Sequence, residues 1–436
     1  MNIKFRDRYS FLFEKKTYVL LLAIGILLRL AFMPFTMMTD LSHQYYQFSY
    51  DRMNDRPYMH SVPIIPLAFP FHYLMMSAYS LVIPAESWYD ATMLAKAGNI
   101  TNPDEFMQRT YVIEESFLSA GPVFLKIFMM KFPYLIFDLL ILFLLPLLFS
   151  RNEDKRLAFL FWLFNPISFM ASFIFGTYDV AVLFFVVLGL LCLSRNRIYL
   201  GASAIVFASL LKPYFAMLLP FVLLHIIKKA GRLRWKQSVL FCVASLTVFF
   251  AFMSRMLSNI LTLIDEVWPS NYILNLRTQP FPVIYIFIVA YTITLLSYWY
   301  FSGDSFNAFC KYTLLALLSF FGLCLFHPQW FVIVLPFMIF MMVEDRSTIR
   351  VFVIQMLSVI SLLLYWENHL TINLFAPISS GVLNFPSIQE TISSFMKFDV
   401  LMGLLWSFFV ALTVLLIMLI IRSIVRDAKK GHDSHE

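Results

Sequence analysis

Apolar runs of about 15 to 23 residues recur along the whole chain, and this recurrence restricts the possible folds more than any other feature of the sequence. Each run can cross a bilayer as a helix, the one single-segment structure that satisfies its own backbone polar groups without water. The runs fall at about 17–36, 127–149, 157–175, 179–194, 198–212, 213–228, 237–254, 281–301, 311–326, 329–343, 350–366 and 400–421. With 60% hydrophobic and 14% charged residues among 436, the chain lacks the polar surface that soluble domains of this size need. We expect an all-α fold, a polytopic transmembrane helical bundle of about twelve spans, with residues 1–436 forming one integral-membrane domain.

The net charge of +7 is carried by short basic clusters between the apolar runs, and this is a footprint of membrane orientation. No nucleic-acid partner is expected. If residues 1–16 form a cytoplasmic tail, the other inside segments are Arg151 to Arg156, Arg195 to Arg197, Lys228 to Lys236, Lys311 with its short loop, Arg346 to Arg350, and the tail 422–436. Every strong Lys/Arg cluster then lies on one side. The first run follows Lys15 and Lys16 without a small-residue cleavage site, so it reads as a retained signal anchor. Residues 61–85 are apolar but broken by Pro63, Pro66, Pro70 and Pro84, and counting them as a span would turn every later basic loop outward. They are expected as interfacial helices within a large extracytoplasmic loop, 37–126. The 255–280 and 367–399 stretches are further outer loops, and Ile372 to Lys397 is expected to be an acceptor-side loop. Cys192, Cys242, Cys310 and Cys324 lack metal-ligand spacing and read as buried small hydrophobes.

With this topology the polar motifs converge at the outer ends of the spans. Asp40 follows the first span, where water thins out and a carboxylate becomes sensitive to its partners. Gly176-Thr177-Tyr178-Asp179 joins two spans, Lys212-Pro213-Tyr214 another two, and His327-Pro328-Gln329-Trp330 a third pair. Lys212 before a helix-opening proline suits an anion, because the dipole and free N–H groups there add to its charge; the alternative is a lysine snorkelling to the interface. His327 reads as a phosphate or acceptor ligand or as a helix cap, Tyr178 as an interfacial aromatic or a substrate contact, and Asp179 as a helix-capping acid. Lys131 and Asp138 are two turns apart on one helical face, so Asp138 lies about 10 Å deeper. A charge at that depth needs a partner, and Arg29 near the end of the first span is the candidate for a structural salt bridge beneath the site.

Several of these motifs, in order, resemble those of the GT-C class of integral-membrane glycosyltransferases, and within it the prokaryotic relatives of the GPI mannosyltransferases and of enzymes that glucosylate lipid-linked oligosaccharides. The resemblance rests on Leu28-Arg29-Leu30 and Asp40, Lys131-Phe132-Pro133-Tyr134 with Phe137-Asp138-Leu139, and Phe164-Asn165-Pro166-Ile167 through Asp179. Lys212-Pro213 before Leu219-Pro220, and His327-Pro328-Gln329-Trp330 before Leu335-Pro336, complete it. It implies a GT-C-like bundle and an inverting hexosyltransferase, with mannose the default sugar. Such an enzyme draws on a polyprenyl- or dolichyl-phosphate sugar and passes the sugar to a glycan, lipid or protein acceptor. It further implies Asp40 as catalytic base, with Lys212, His327, Arg29, Tyr178 and Gln329 around substrate or phosphate and Lys131, Asp138 and Asp179 in support. No cofactor and no metal are expected, since the acidic pair some members carry in the first loop is missing and Asp51 and Asp55 are offset. The chain departs from the family at Thr177, where glutamine is usual, and at Pro328, where glutamate is common. The implied location is a prokaryotic cell membrane with the site facing outward, or the endoplasmic reticulum membrane in a eukaryote.

Two other classes fit an outward-facing multi-span protein. A polysaccharide polymerase or ligase usually presents arginine-rich outer loops, whereas Arg52, Arg56, Arg109, Arg255 and Arg277 are scattered here. A flippase or transporter of lipid-linked sugar is expected to place paired charges near the midplane and to show internal repeats, and no repeat is visible.

Overall fold

A computed structural model describes residues 9–10, 16–42, 117–119, 122–266 and 285–433. The 61–85 stretch and most of the first loop lie outside these residues, as do Asp51 and Asp55. All regular structure among the described residues is helical. Among the described residues, five helices are long and apolar enough to cross a membrane: Val123–Leu148, Asn152–Phe175, Phe306–Leu323, Arg346–Trp366 and Phe398–Lys429. Shorter apolar helices span Asp179–Ser194, Ile198–Leu211, Lys236–Ala251, Ile286–Phe301 and Pro328–Glu344. The chain thus has the helices of a membrane protein.

In chain order the helices are α1 (Lys16–Phe32), α2 (Val123–Leu144), α3 (Asn152–Leu163), α4 (Pro166–Phe169), α5 (Asp179–Ser194), α6 (Ile198–Leu211), α7 (Leu219–Glu266) and α8 (Ile286–Phe301). They continue with α9 (Phe306–Leu323), α10 (Leu335–Glu344), α11 (Ile349–Ser361), α12 (Ile388–Ser393) and α13 (Phe398–Asp433). Helix α5 is apolar on all sides and buried along most of its length, as such a helix must be, with α2 and α6 against it. Its contact with α6 runs through two glycines, since a Cβ at Gly189 would meet the Gly201 carbonyl at 2.8 Å. Small residues let the two backbones approach where no polar group is available to bind them. Helices α9 and α10 are almost wholly buried as well. Around this centre, α1, α2, α7, α8 and α13 expose Leu27, Ile136, Leu240, Ile293 and Leu404, an outer surface suited to an apolar solvent.

The sequence suggests separate runs at 213–228 and 237–254, and α7 covers most of the first and all of the second with helical backbone between Leu219 and Glu266. A straight helix would part Leu223 from Cys242 by about 28 Å. The Cys242 thiol instead lies 3.9 Å from the Leu223 carbonyl oxygen, so the helical run folds back on itself between them.

The ends of the bundle differ in chemistry. At one end, Lys311 meets Asp427 at 2.5 Å, Arg426 meets Asp345 at 3.1 Å, and Arg346 meets Glu153 at 3.5 Å. These pairs join the basic segments expected on a common side. At the other end lie the end of α1, the start of α5, the end of α6 and the His327 turn, with the short 3₁₀ segments Leu362–Leu370 and Ile372–Phe375 packed beside them. The stretch expected as an acceptor-side loop continues as 3₁₀ turn Ser380–Asn384 and helix α12, which opens with a Ser387/Glu390 capping box.

Candidate active site

Asp40 sits on a short helical turn that is tied down from several directions. The Met38 amide donates to the Phe175 carbonyl at 2.9 Å, and the Met37 amide donates to the Leu374 carbonyl at 3.0 Å. Beneath them lies the fully buried Lys131. Its ammonium donates to the carbonyl of Thr36, to that of Phe173 at 2.7 Å and to that of Ile174 at 3.1 Å. Phe173 and Ile174 belong to the last turn of a π-helix, Met170–Phe175, whose unpaired carbonyls favour a cation. Lys131 therefore pins the segment before Asp40 onto the segment before α5.

The π-helix ends at Gly176 with φ 80°, a left-handed conformation that side chains rarely adopt. A Cβ there would also lie 2.8 Å from Lys131 Cε and 3.2 Å from Leu41 Cδ2, so the glycine permits the lysine and the Asp40 turn to close over it. Thr177 completes the turn, its hydroxyl and its amide each donating to the Ala171 carbonyl at 3.0 Å.

Asp179 opens α5 and is fully buried. Its Oδ1 accepts from Lys212 Nζ at 2.5 Å and from the Tyr214 hydroxyl, while its Oδ2 has no hydrogen-bond partner among the described residues. The dipole of α5 favours the carboxylate, but its principal partner is the Lys212 side chain. Lys212 Nζ also stands 4.6 Å from the Tyr178 ring centre and 5.2 Å from that of Tyr214, and its side chain keeps 13% exposure. Tyr214 stacks on Trp330 with ring centres 5.3 Å apart, and His327 stacks on Trp366 at 3.7 Å. Gln329 is buried one residue before Trp330, and its Oε1 accepts no hydrogen bond among the described residues.

The Asp40 side chain is exposed, yet protein crowds its carboxyl. This desolvation pushes the carboxyl up from its ordinary 3.8 to about 6, with Lys212 acting to lower it and Asp179 to raise it. Burial pushes His327 down to about 4; the charge of Lys212 lowers it further and Asp179 opposes. His327 is therefore neutral near pH 7. Asp40, Asp179, Lys212 and His327 thus form one electrostatic neighbourhood.

Arg29, Asp138 and Trp162 form a different group. Arg29 Nε meets Asp138 Oδ2 at 2.7 Å, its Nη1 donates to the Leu163 carbonyl at 2.9 Å, and Trp162 Nε1 donates to Asp138 Oδ1 at 3.1 Å. Arg29 is 1% exposed and Asp138 fully buried. The guanidinium is thus committed within the bundle, and the full positive charge beside Asp40 among the described residues comes from Lys212. The shared helical face of Lys131 and Asp138 does not make them partners, since one binds carbonyls and the other Arg29.

Three contributors were not singled out from sequence. Tyr214 directly follows Lys212-Pro213, so its place in the motif was a usable signal. Trp366 ends an apolar run, and Thr36 contributes through its backbone, so neither carries a local mark. Comparison of the chain with protein-family models, with curated proteins and with solved structures returns no match.

Proposed function

We propose that this protein is an inverting glycosyltransferase that takes a hexose from a polyprenyl-phosphate carrier and passes it to an acceptor hydroxyl on a glycan, lipid or protein at the extracytoplasmic face of its membrane. The observation that carries the proposal is the accessible Asp40 carboxyl, raised to about 6 and set within the charge field of Lys212. A general base works best with a pKa near the operating pH, and Asp40 meets that condition while mostly ionised at neutral pH. The motif order shared with the GT-C class supports the same reading.

In this reaction the acceptor oxygen bonds to the anomeric carbon from the face opposite the phosphate. The bond from that carbon to the phosphate oxygen breaks, its electron pair leaves with the lipid phosphate, and the acceptor proton passes to Asp40. Lys212 stabilises the charge growing on the leaving group. Neutral His327 and Gln329 Oε1 contribute hydrogen bonds rather than charge. Phe32 and Phe35, exposed apolar side chains shortly before Asp40, give a carrier lipid a surface to approach along.

The test is sugar transfer by the purified full-length protein in detergent, with a panel of polyprenyl-phosphate hexoses that includes mannose. Transfer is expected from at least one donor, and Asp40→Asn should lower turnover by about 10²- to 10⁴-fold. Wild-type turnover in Asp40→Asn removes the base, and with it the mechanism.

A further inference from the structure

We infer that a basic recess at the end of the bundle remote from Asp40 binds the phosphate headgroup of an anionic phospholipid. The recess has a volume of about 420 Å³ and is lined by Asn196, Arg197, Ile198, Tyr199, Leu200 and Lys229. It lies where α5 turns into α6, and α6 runs from it to Lys212, a distance of about 21 Å for its length. The recess is therefore separate from the site around Asp40, and its assignment does not rest on the proposed activity.

Two positive charges line it, and neither is held by a close ion pair among the described residues. The exposed Arg197 side chain makes no hydrogen bond or ion pair among the described residues. Lys229 has one loose partner, Asp304, at 3.6 Å, and that carboxylate is 60% exposed. An exposed pair of this kind contributes little, so Lys229 can turn to a phosphate at small cost. Asn196 takes a left-handed φ of 58°, and this tight turn sets Arg197 directly before α6. A headgroup phosphate between the guanidinium and the ammonium would receive charge-assisted hydrogen bonds from both.

The surroundings point to a lipid rather than a soluble anion. Leu200, part of the lining, is 57% exposed. The Tyr199 hydroxyl lies 3.0 Å from Ser238 Oγ, which brings α7 alongside, and on α7 Leu240 and Val243 are 69% and 55% exposed. A cationic recess bordered by exposed apolar side chains matches a phosphate head joined to acyl chains.

The experiment measures phosphatidylglycerol retention by the full-length protein in detergent, by native mass spectrometry, with phosphatidylcholine and glycerol phosphate as comparison probes. Wild type should prefer phosphatidylglycerol over phosphatidylcholine by about tenfold or more. Arg197→Gln with Lys229→Gln should abolish the preference, and Arg197→Lys with Lys229→Arg should restore it. Arg195→Gln removes an equal charge from the same turn but outside the lining, and should leave the preference within about twofold, since a site reads geometry as well as charge. Equal retention of the two lipids by wild type overturns the proposal, as does an equal loss in Arg195→Gln, which marks a diffuse charge effect. Displacement of the lipid by equimolar glycerol phosphate overturns its assignment to a lipid.

Discussion

Lys212 Nζ and Asp179 Oδ1 lie 2.5 Å apart, and the aspartate is fully buried while the lysine side chain keeps an exposed edge. The pair joins the end of α6 to the start of α5, and it holds a cation where its charge acts on Asp40. Lys212→Met leaves the Asp179 charge buried without its cation, a loss on the order of 3 kcal/mol. Lys212→Met with Asp179→Leu should recover much of that stability and none of the donor use. Thermal unfolding in detergent and the KM for the lipid donor separate the two effects.

In the proposed reaction Lys131 acts as a positioning residue. Lys131→Met keeps the apolar stem but strands the carbonyls of Thr36, Phe173 and Ile174, which lose their shared donor. The expected cost is about 2–3 kcal/mol, offset in part because a buried charge is also removed. Turnover should fall more than donor affinity, because the Asp40 turn loosens while Lys212 stays in place. Equal changes in both would mean that Lys131 acts on folding alone.

Gly176→Ala tests the same junction through the backbone. At φ 80° an alanine is strained by about 1–2 kcal/mol, and its Cβ would press on Lys131 Cε. Activity should drop at temperatures where the variant remains folded, and unfolding should move to lower temperature.

The Arg29–Asp138 pair lies inside the bundle, so its variants should change stability and leave the transfer rate per folded molecule unchanged. Arg29→Leu and Asp138→Leu each leave an uncompensated buried charge, worth about 3–5 kcal/mol. The double variant should be more stable than either single one. A double variant less stable than both would show that neither single variant leaves an uncompensated charge.

Much of this arrangement is legible in the sequence for a physical reason. Asp40, the Gly176–Asp179 turn, Lys212 and His327 each follow or precede an apolar run, so alternation of the runs is enough to bring these breaks to one end. The partners within the end are not legible. Lys131 and Asp138 share a face at two-turn spacing, yet each finds a different partner, because the choice depends on which carbonyls and cations neighbouring helices present. Trp366 reaches His327 from a distant segment, and nothing local in either stretch specifies that stack. The charged stretch Lys228 to Lys236 marks an interruption in apolar sequence, and the chain reverses between Leu223 and Cys242 with helical backbone on both sides. What sets the return of the chain there is tertiary contact, such as that between Cys242 and Leu223.

The most direct test of the account is the pH dependence of kcat/KM for sugar transfer in wild type, Lys212→Met and Asp179→Asn. In the proposed reaction the ionised Asp40 carboxylate is the active form, so activity should fall as pH drops through about 6 in wild type. Lys212 lowers that pKa and Asp179 raises it, so the acid limb should move to higher pH in Lys212→Met and to lower pH in Asp179→Asn. An acid limb that stays in place in both variants, or one that persists unchanged in Asp40→Asn, would contradict the assignment of Asp40 as the base within the field of that pair.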